Sequence, residues 1–376
     1  MSDQFQVSGI LLYDNLSAKG GAEKLSFSIF NGIKNTDFCV SSKDERLFPD
    51  GRGSGYNGNL YTLSSYTSIR GWKSLKTILS FISKKVFRKS YDWAIYSGDY
   101  APIAILKNRQ RAKRNILYCH TIPRSPYDLR GYKLAKMGLF KGLAFRLMCL
   151  LVKSLYEPSI RKMDVVVANS ENVRNRIKKY IGIDAIVINP PIDTDRFKWL
   201  GQEDYYLSLA RLEPEKRVDL VVRAFMKMPD KKLVVASGGS EFARLVDMAK
   251  GYKNITFLGW ASDEDIYKAV GNCIATIYIP IDEDFGMSPV ESMSAGKPVL
   301  GAAEGGLLET IVNGKTGVLL DRVSIESISR AIQIMSKDKC LEMRKDAEER
   351  AKNYSESMFL QKIETILGGE SNVSSH

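Results

Sequence analysis

Residues 9–23 read Gly-Ile-Leu-Leu-Tyr-Asp-Asn-Leu-Ser-Ala-Lys-Gly-Gly-Ala-Glu, after which apolar residues recur at Leu25, Ile29 and Ile33. A short apolar run ending in Asp14, a glycine pair and then a period near four is the pattern of strand, turn and helix. The pattern returns along the first half, with strands predicted at 93–96, 115–119, 165–168 and 186–189. Asn169-Ser170-Glu171 supplies a cap for a helix over 173–180. Pro190-Pro191 ends that series and a second begins. Its strands are predicted at 205–209, 232–236, 255–258, 275–279, 298–301 and 318–320. Helices are predicted at 218–226, 241–250, 263–270, 291–294 and 308–312 between them, and at 325–335, 340–352 and 357–367 beyond. Strands alternating with helices imply α/β architecture with a doubly wound parallel sheet in each half.

The 376 residues suit two domains better than one. We place them at 1–190 and 191–354, with a helix at 355–368 expected to return to the first domain and a polar tail, 369–376, expected to be disordered. The charge is uneven. The chain carries +12, yet residues 51–150 alone hold 19 basic and 3 acidic side chains, while residues 201–376 hold 22 and 27. A polyanionic partner of the first half, nucleic acid or an acidic membrane surface, is the implication. With only His120 and His376 present, zinc sites built from several histidines are excluded. The five cysteines lie at least 30 residues apart, so no CxxC pair exists and free thiols are expected. The N-terminal MSDQFQVSG lacks a basic then apolar run, so no secretory leader is expected. The most apolar stretch, 143–152, is well short of the ~20 residues that span a bilayer.

Several residues stand where open α/β sheets collect ligands, at strand-to-helix junctions. Gly20 and Gly21 can present backbone N–H groups to a phosphate or substrate, although they do not space as a dinucleotide fingerprint and a plain tight turn is equally open. The glycines at 51–55 follow no strand and read as a loop. His120 closes the run Leu117-Tyr118-Cys119-His120, a catalytic or a structural position. Arg211 and Lys216, in Arg-Leu-Glu-Pro-Glu-Lys-Arg-Val-Asp, make a diphosphate clamp or a pair of solvated loop charges. Glu283 and Glu291 flank Phe285, Gly286, Met287 and Ser288. We expect the first carboxylate in a loop and the second at the start of the next helix, each able to accept two hydroxyl hydrogen bonds. Asp282-Glu283-Asp284 also spells a weak DxD metal triplet. Glu304-Gly305-Gly306 offers a further turn for an anion. The Glu pair alone would suit a glycosidase, but hydrolysis would not explain the cations.

Taken in order, these motifs resemble glycosyltransferase family 4. The residues that carry the likeness are Gly20-Gly21-Ala22-Glu23, the YCHT run around His120, Asn169-Ser170 and Asn189-Pro-Pro-Ile-Asp. They continue with Arg211 to Lys216, Glu283 to Glu291, Glu304-Gly-Gly and Asn313-Gly-Lys-Thr-Gly317. The resemblance implies the GT-B fold, two Rossmann-like domains facing across a cleft, and retaining transfer from a nucleotide diphosphate sugar. It implies that Gly20 and Gly21 meet the donor phosphate or acceptor region and that Arg211 and Lys216 bind the diphosphate. Glu283 would contact the transferred sugar, Glu291 the ribose, and the backbone of Phe285, Gly286, Met287 and Ser288 the sugar and phosphate. His120 would lie beside the sugar as a catalytic group with Glu283. No metal or other cofactor is implied, and the DxD triplet becomes coincidental. The flavour of the motifs is most similar to bacterial mannosyltransferases of lipopolysaccharide and polysaccharide synthesis, with GDP-mannose the favoured donor and UDP-sugars the alternative.

The cationic half then gains a role. Lys73, Lys76, Lys84, Lys85, Arg88 and Lys89 surround Trp72, Leu75, Ile78, Leu79, Ile82 and Phe87. Lys133, Lys136, Lys141 and Arg146 stand among Leu134, Met137, Leu139, Phe140, Leu143 and Phe145. Basic amphipathic helices of this kind bind membrane surfaces, or else pack on a core. We expect peripheral attachment to the inner, cytoplasmic face of an anionic membrane, where these residues and Arg124 meet a lipid-linked glycan acceptor. The rival is a nucleic-acid binder using the same charge, which we do not expect because the basic faces lack a stacking platform.

Overall fold

A computed structural model of the chain describes residues 7–18, 20–48, 58–69, 72–135 and 137–368. The loop at 51–55, Lys136 and the tail 369–376 lie outside the described residues. The chain divides into two compact units, residues 1–189 with 359–376, and residues 190–358.

The first unit runs β1 (Gly9–Leu16), α1 (Gly21–Gly32), β2 (Thr36–Lys43), β3 (Leu60–Thr62), α2 (Trp72–Ser83), β4 (Tyr91–Ser97), α3 (Ile105–Asn108) and β5 (Ala112–Cys119). It continues with α4 (Arg130–Leu134), α5 (Leu139–Ile160), β6 (Val165–Ala168), α6 (Glu171–Ile181) and β7 (Ile186–Val187). Among the described residues the strands make one seven-stranded parallel sheet, ordered β3-β2-β1-β4-β5-β6-β7. Leu11 of β1 sits between Phe38 and Ile95 on its neighbours. One face of the sheet buries Ile29 and Phe30 of α1, and the other Tyr156 and Ile160 of α5. Parallel strands covered on both faces are apolar nearly throughout, which is why these runs stand out in the sequence.

Two strands escape sequence reading. β2 carries Thr36, Ser41 and Ser42, all buried, which break its apolar run, and β3 is only three residues long. β1 also continues past Asp14 to Leu16. The predicted cap is present: the Ser170 hydroxyl accepts from the Val173 N–H, and Gly182 in left-handed conformation ends α6.

The second unit runs β8 (Tyr206–Ser208), α7 (Val218–Met226), β9 (Leu233–Val235), α8 (Phe242–Met248), β10 (Ile255–Phe257), α9 (Asp263–Asn272), β11 (Thr276–Tyr278), α10 (Met287–Ser294) and β12 (Val299–Ala302). α11 (Leu307–Thr310), β13 (Gly317–Leu320), α12 (Ile325–Ile334), α13 (Lys337–Glu342) and α14 (Arg344–Lys352) complete it. Its described strands form a six-stranded parallel sheet, ordered β10-β9-β8-β11-β12-β13. The predicted helix at 340–352 is two, α13 and α14, broken at Met343, whose side chain is buried in the core. The last helix, α15 (Glu356–Gly368), turns Phe359, Ile363 and Ile366 into the core of the first unit. Phe225 on α7 is fully buried against Tyr206, their ring centroids 5.8 Å apart; truncating such a residue to Ala costs about 3–5 kcal/mol.

Both sheets reverse their strand order at one point, β1/β4 in the first and β8/β11 in the second. Crevices at such switch points, outside the carboxyl ends of the strands, are where open α/β sheets bind ligands. This two-unit, parallel-sheet architecture agrees with the fold that the resemblance implied.

Candidate functional site

In the second unit the switch point brings together two loops. β8 and β11 are neighbours, with Thr276 paired to Leu207, so the segment after β8 that carries Arg211 and Lys216 meets the segment after β11 that carries Glu283. The Lys216 ammonium donates to Glu283 Oε2 at 2.6 Å and to the Tyr278 hydroxyl at 3.3 Å. Tyr278, the last residue of β11, is 8% exposed. Burial holds its phenol well above the usual tyrosine range, with Glu283 and Glu291 adding to the rise and Arg211 opposing it. Arg211, Lys216, Glu283 and Glu291 therefore all act on one neutral phenol. Sequence reasoning missed Tyr278, since its apolar neighbours made it look like ordinary strand; the signal was its place one residue before the strand gives way to the loop.

The remaining ion pair of this corner was also missed. Arg217, with φ +55°, donates to the carbonyls of Ile279 and Pro280 at 2.8 and 2.5 Å and pairs with Glu304 at 2.9 Å. It thereby ties α7 to the strand end that launches the Glu283 loop. Glu304 in turn accepts from the Asp282 N–H at 3.2 Å.

Of the two glycine N–H groups after Glu304 that were expected to meet an anion, one is already used. The Gly306 N–H donates to the Glu283 carbonyl at 2.8 Å, so that donor is spent on the loop. Gly305, at φ +57°, packs so closely that a Cβ there would stand 2.4 Å from the Glu283 carbonyl oxygen. Only glycine lets the two loops lie flush in this left-handed turn.

Glu291 departs from its predicted place. α10 begins at Met287, so Glu291 occupies the second turn rather than the helix start. The predicted start fell late because Pro289 is accommodated within the first turn, where its missing N–H costs nothing. Gly286 caps the helix at φ +88°, Met287 and Ser288 open it, and Phe285 is buried with its ring 5.5 Å from Tyr354. The Phe285 ring is thus an anchor that leaves the backbone as the part available to a ligand.

In the first unit, Gly20 is the N-cap of α1 and Gly21 its first residue. Burial, with the Glu23 carboxylate of that first turn adding to it, holds the Tyr13 phenol well above the usual tyrosine range, and the Tyr13 ring stands edge-on to His120 with centroids 6.5 Å apart. The glycine turn and His120 are thereby linked through Tyr13. Ser97 Oγ lies 2.8 Å from His120 Nε2, and burial pushes the imidazole down to about 4, so it is neutral at pH 7. Asp14 accepts from the N–H groups of Asp99, Tyr100 and Ala101 at 2.7–3.1 Å. Burial and the neighbouring Asp99 nevertheless raise its carboxyl to about 7, against those three donors.

The basic residues divide. α2 stops at Ser83, so Lys84, Lys85 and Arg88 lie beyond the helix expected to carry them, and Ile78, Phe81 and Phe87 are core residues. A helix whose apolar face is needed by the sheet beneath cannot give that face to a membrane. Arg88 stacks on the Tyr61 ring at 4.0 Å, Lys76 donates to Ser65, and Trp72 remains exposed. Arg124 pairs with Asp128 at 2.7 Å. The second basic stretch is broken between Leu134 and Leu139 into α4 and α5, and Lys141 is exposed on the latter. All five cysteines are buried free thiols. Among the described residues no helix is long and apolar enough to cross a membrane.

Residues 191–354 match the family described as Glycosyl transferases group 1. The chain is 33% identical over 157 residues to the alpha-1,3/1,6-mannosyltransferase ALG2 of Dictyostelium discoideum, covering 35% of this chain and 37% of that one. With the mouse ALG2 it shares 24% over 298 residues, 72% of this chain and 69% of its relative. With the GDP-mannose-dependent alpha-(1-6)-phosphatidylinositol monomannoside mannosyltransferase of Mycolicibacterium smegmatis it shares 28% over 198 residues, covering 45% and 52%. The chain thus spans well under two thirds of the Dictyostelium and mycobacterial proteins. Among solved structures, the Anabaena HepE protein in complex with UDP and glucose superposes with a TM-score of 0.71 at 17% identity, over 96% of this chain and 99% of that one.

Proposed function

We infer that the second unit, whose residues 191–354 match the Glycosyl transferases group 1 family, brings glycosyl transfer to the chain. From that premise we propose a retaining hexosyltransferase that moves mannose from GDP-mannose to a lipid-linked glycan acceptor in cell-surface polysaccharide synthesis. Mannosyl transfer is supported by the likeness to the mouse and mycobacterial mannosyltransferases. The observation that carries the site is the joining of Lys216 to Glu283 at 2.6 Å and to the Tyr278 hydroxyl at 3.3 Å, at the switch point of the second sheet.

In this reading Arg211 and Lys216 take the diphosphate, whose developing negative charge they offset as the glycosidic bond breaks. The N-terminus of α10, opened by Met287 and Ser288 behind Gly286, adds its partial positive charge. Glu283 holds hydroxyls of the sugar and Glu291 those of the ribose. No carboxylate is assigned as nucleophile. The acceptor attacks on the face the leaving group departs from, and the donor phosphate receives its proton. Because fixed cations meet the diphosphate, EDTA is expected to leave the rate unchanged; a strict requirement for a divalent ion would restore the Asp282-Glu283-Asp284 triplet as a metal site. The first unit takes the acceptor at the switch point beside Gly20, Gly21 and His120, at the inner face of an anionic membrane. The testing experiment is transfer from labelled GDP-mannose in wild type, Lys216→Ala and Glu283→Ala. Near-normal turnover in both variants would overturn the assignment.

A further inference from the structure

α5 is apolar on two sides. Its buried positions include Cys149, Val152, Tyr156 and Ile160, yet Leu139 and Phe140 are 86% and 87% exposed, and Leu143, Leu147 and Leu150 continue the exposed stripe at helical spacing. Packing on the sheet explains one side only. A helix apolar nearly all round is ordinarily enclosed on every side, and an exposed stripe of this size marks a surface that is covered in use.

Beneath the N-terminal half of the same helix lies a cavity of about 700 Å³. Phe145, Met148 and Val152 of α5 and Met137 form an apolar wall, while Arg124 and Lys133 line it from the segment after β5 and from α4. The Lys133 ammonium donates to the neutral Ser125 hydroxyl at 2.6 Å. The Cys149 thiol lines the same cavity and donates to the Ser125 carbonyl at 3.4 Å. Residues 101–150 hold eleven basic side chains against one acidic. The cavity shares Ser74, Asp99 and Tyr100 with a second, of about 310 Å³, lined by Asp14, Glu23 and Lys73 at the end of β1. A path thus runs from the exposed stripe of α5, past cations, to carboxylates beside the Gly20–Gly21 turn.

We propose that the larger cavity binds a phosphate-headed amphiphile. The start of its tail lies against Phe145, Met148 and Val152, its phosphate is met by Lys133 and Arg124, and the rest of its tail leaves along Leu143 and Leu147. Hydroxyls borne on the phosphate would reach Glu23 and Asp99 in the smaller cavity. An apolar wall with a cationic rim selects for both features together; an isolated phosphate would gain nothing from the wall, and a neutral lipid nothing from the cations. This rests on the reading of the chain as a transferase to a lipid-linked acceptor, and names where in the first unit that acceptor sits.

The test is calorimetric titration of the full chain with farnesyl diphosphate below its micellar concentration, against pyrophosphate and farnesol as separate arms. Farnesyl diphosphate should bind at least about tenfold more tightly than either, Lys133→Glu should weaken it about tenfold, and Met148→Trp, which fills the cavity, should abolish binding. Lys133 lies on the short α4 rather than in the core, so it carries the test should Met148→Trp lower the melting temperature. Equal binding of pyrophosphate, or farnesyl diphosphate binding unchanged in Lys133→Glu, would overturn the proposal. GDP titrated into the same samples separates the two readings: GDP binding without farnesyl diphosphate binding refutes the cavity alone, and the reverse refutes the donor assignment alone.

Discussion

Lys216 and Glu283 are joined at 2.6 Å, with 13% and 20% of their side chains exposed. The cation assigned to the diphosphate is therefore already neutralised by the carboxylate assigned to the sugar. In the proposed reading an arriving diphosphate would have to compete for Lys216 and in doing so would free Glu283 to accept sugar hydroxyls, so that the two halves of the donor would bind in a coupled way.

That coupling gives Glu283→Gln an unusual signature. Removing the competing charge should tighten free GDP by several-fold, while transfer from GDP-mannose falls by at least about a hundredfold, equivalent to ~2.7 kcal/mol. Calorimetry with GDP and initial rates with GDP-mannose measure the two. Weaker GDP binding in this variant would show that Lys216 does not reach the diphosphate.

Tyr278 serves as the neutral hub of this corner, so Tyr278→Phe should leave the fold intact and cost one partly buried hydrogen bond, about 1–2 kcal/mol. The rate constant kcat/KM should drop roughly 5- to 30-fold. A variant indistinguishable from wild type would place the hub elsewhere.

Gly305→Ala sets the new methyl against the Glu283 backbone in a left-handed turn, whereas Gly314→Ala, at φ +78° with no atom within 4 Å of its Cβ, meets the same strain in open space. Both should lose about 1 kcal/mol of stability from backbone strain. Only the first should lose most transfer activity, because it alone displaces the Glu283 loop. Melting temperature and turnover on the pair separate strain from site geometry.

His120 gives a pH dependence of definite sign. Its imidazole titrates near 4 when folded and near 6.5 when unfolded. Between those values the unfolded chain binds the extra proton, so stability is full above pH 6.5 and falls as pH drops toward 4, by at most roughly 3 kcal/mol. Asp14 acts in the opposite sense, because its carboxyl is raised to about 7 and protonation between pH 7 and 4 favours the folded unit. Unfolding of wild type and His120→Gln across pH 4–7 isolates the histidine: wild type should lose stability relative to the variant on acidification. Parallel curves would contradict the neutral imidazole.

Much of this was legible before any coordinates. Apolar parallel strands announced β4, β5, β6 and all of the second sheet, and the residues around Arg211, Glu283 and Glu304 were marked as a site by their place after strands. What stayed hidden was tertiary. Buried hydroxyls disguised β2, Tyr278 looked like strand filling, and Arg217 read as one of two adjacent basic residues although it ties the end of β11 to Glu304. The basic stretch at 72–89 looked amphipathic, yet its apolar side belongs to the sheet. The stretch around Leu139 looked the same and is the one left exposed. Periodicity finds an apolar face; it does not say what covers it.

In the proposed reading the second unit binds a guanosine diphosphate sugar through Lys216 and Glu291. Titration of GDP, UDP and ADP into wild type, Lys216→Ala and Glu291→Ala tests it most directly. Wild type should bind GDP most tightly of the three, Lys216→Ala should lose that binding, and Glu291→Ala should keep a weaker but measurable interaction. Binding of GDP that is unchanged in both variants, or no binding of any of the three nucleotides, would contradict it.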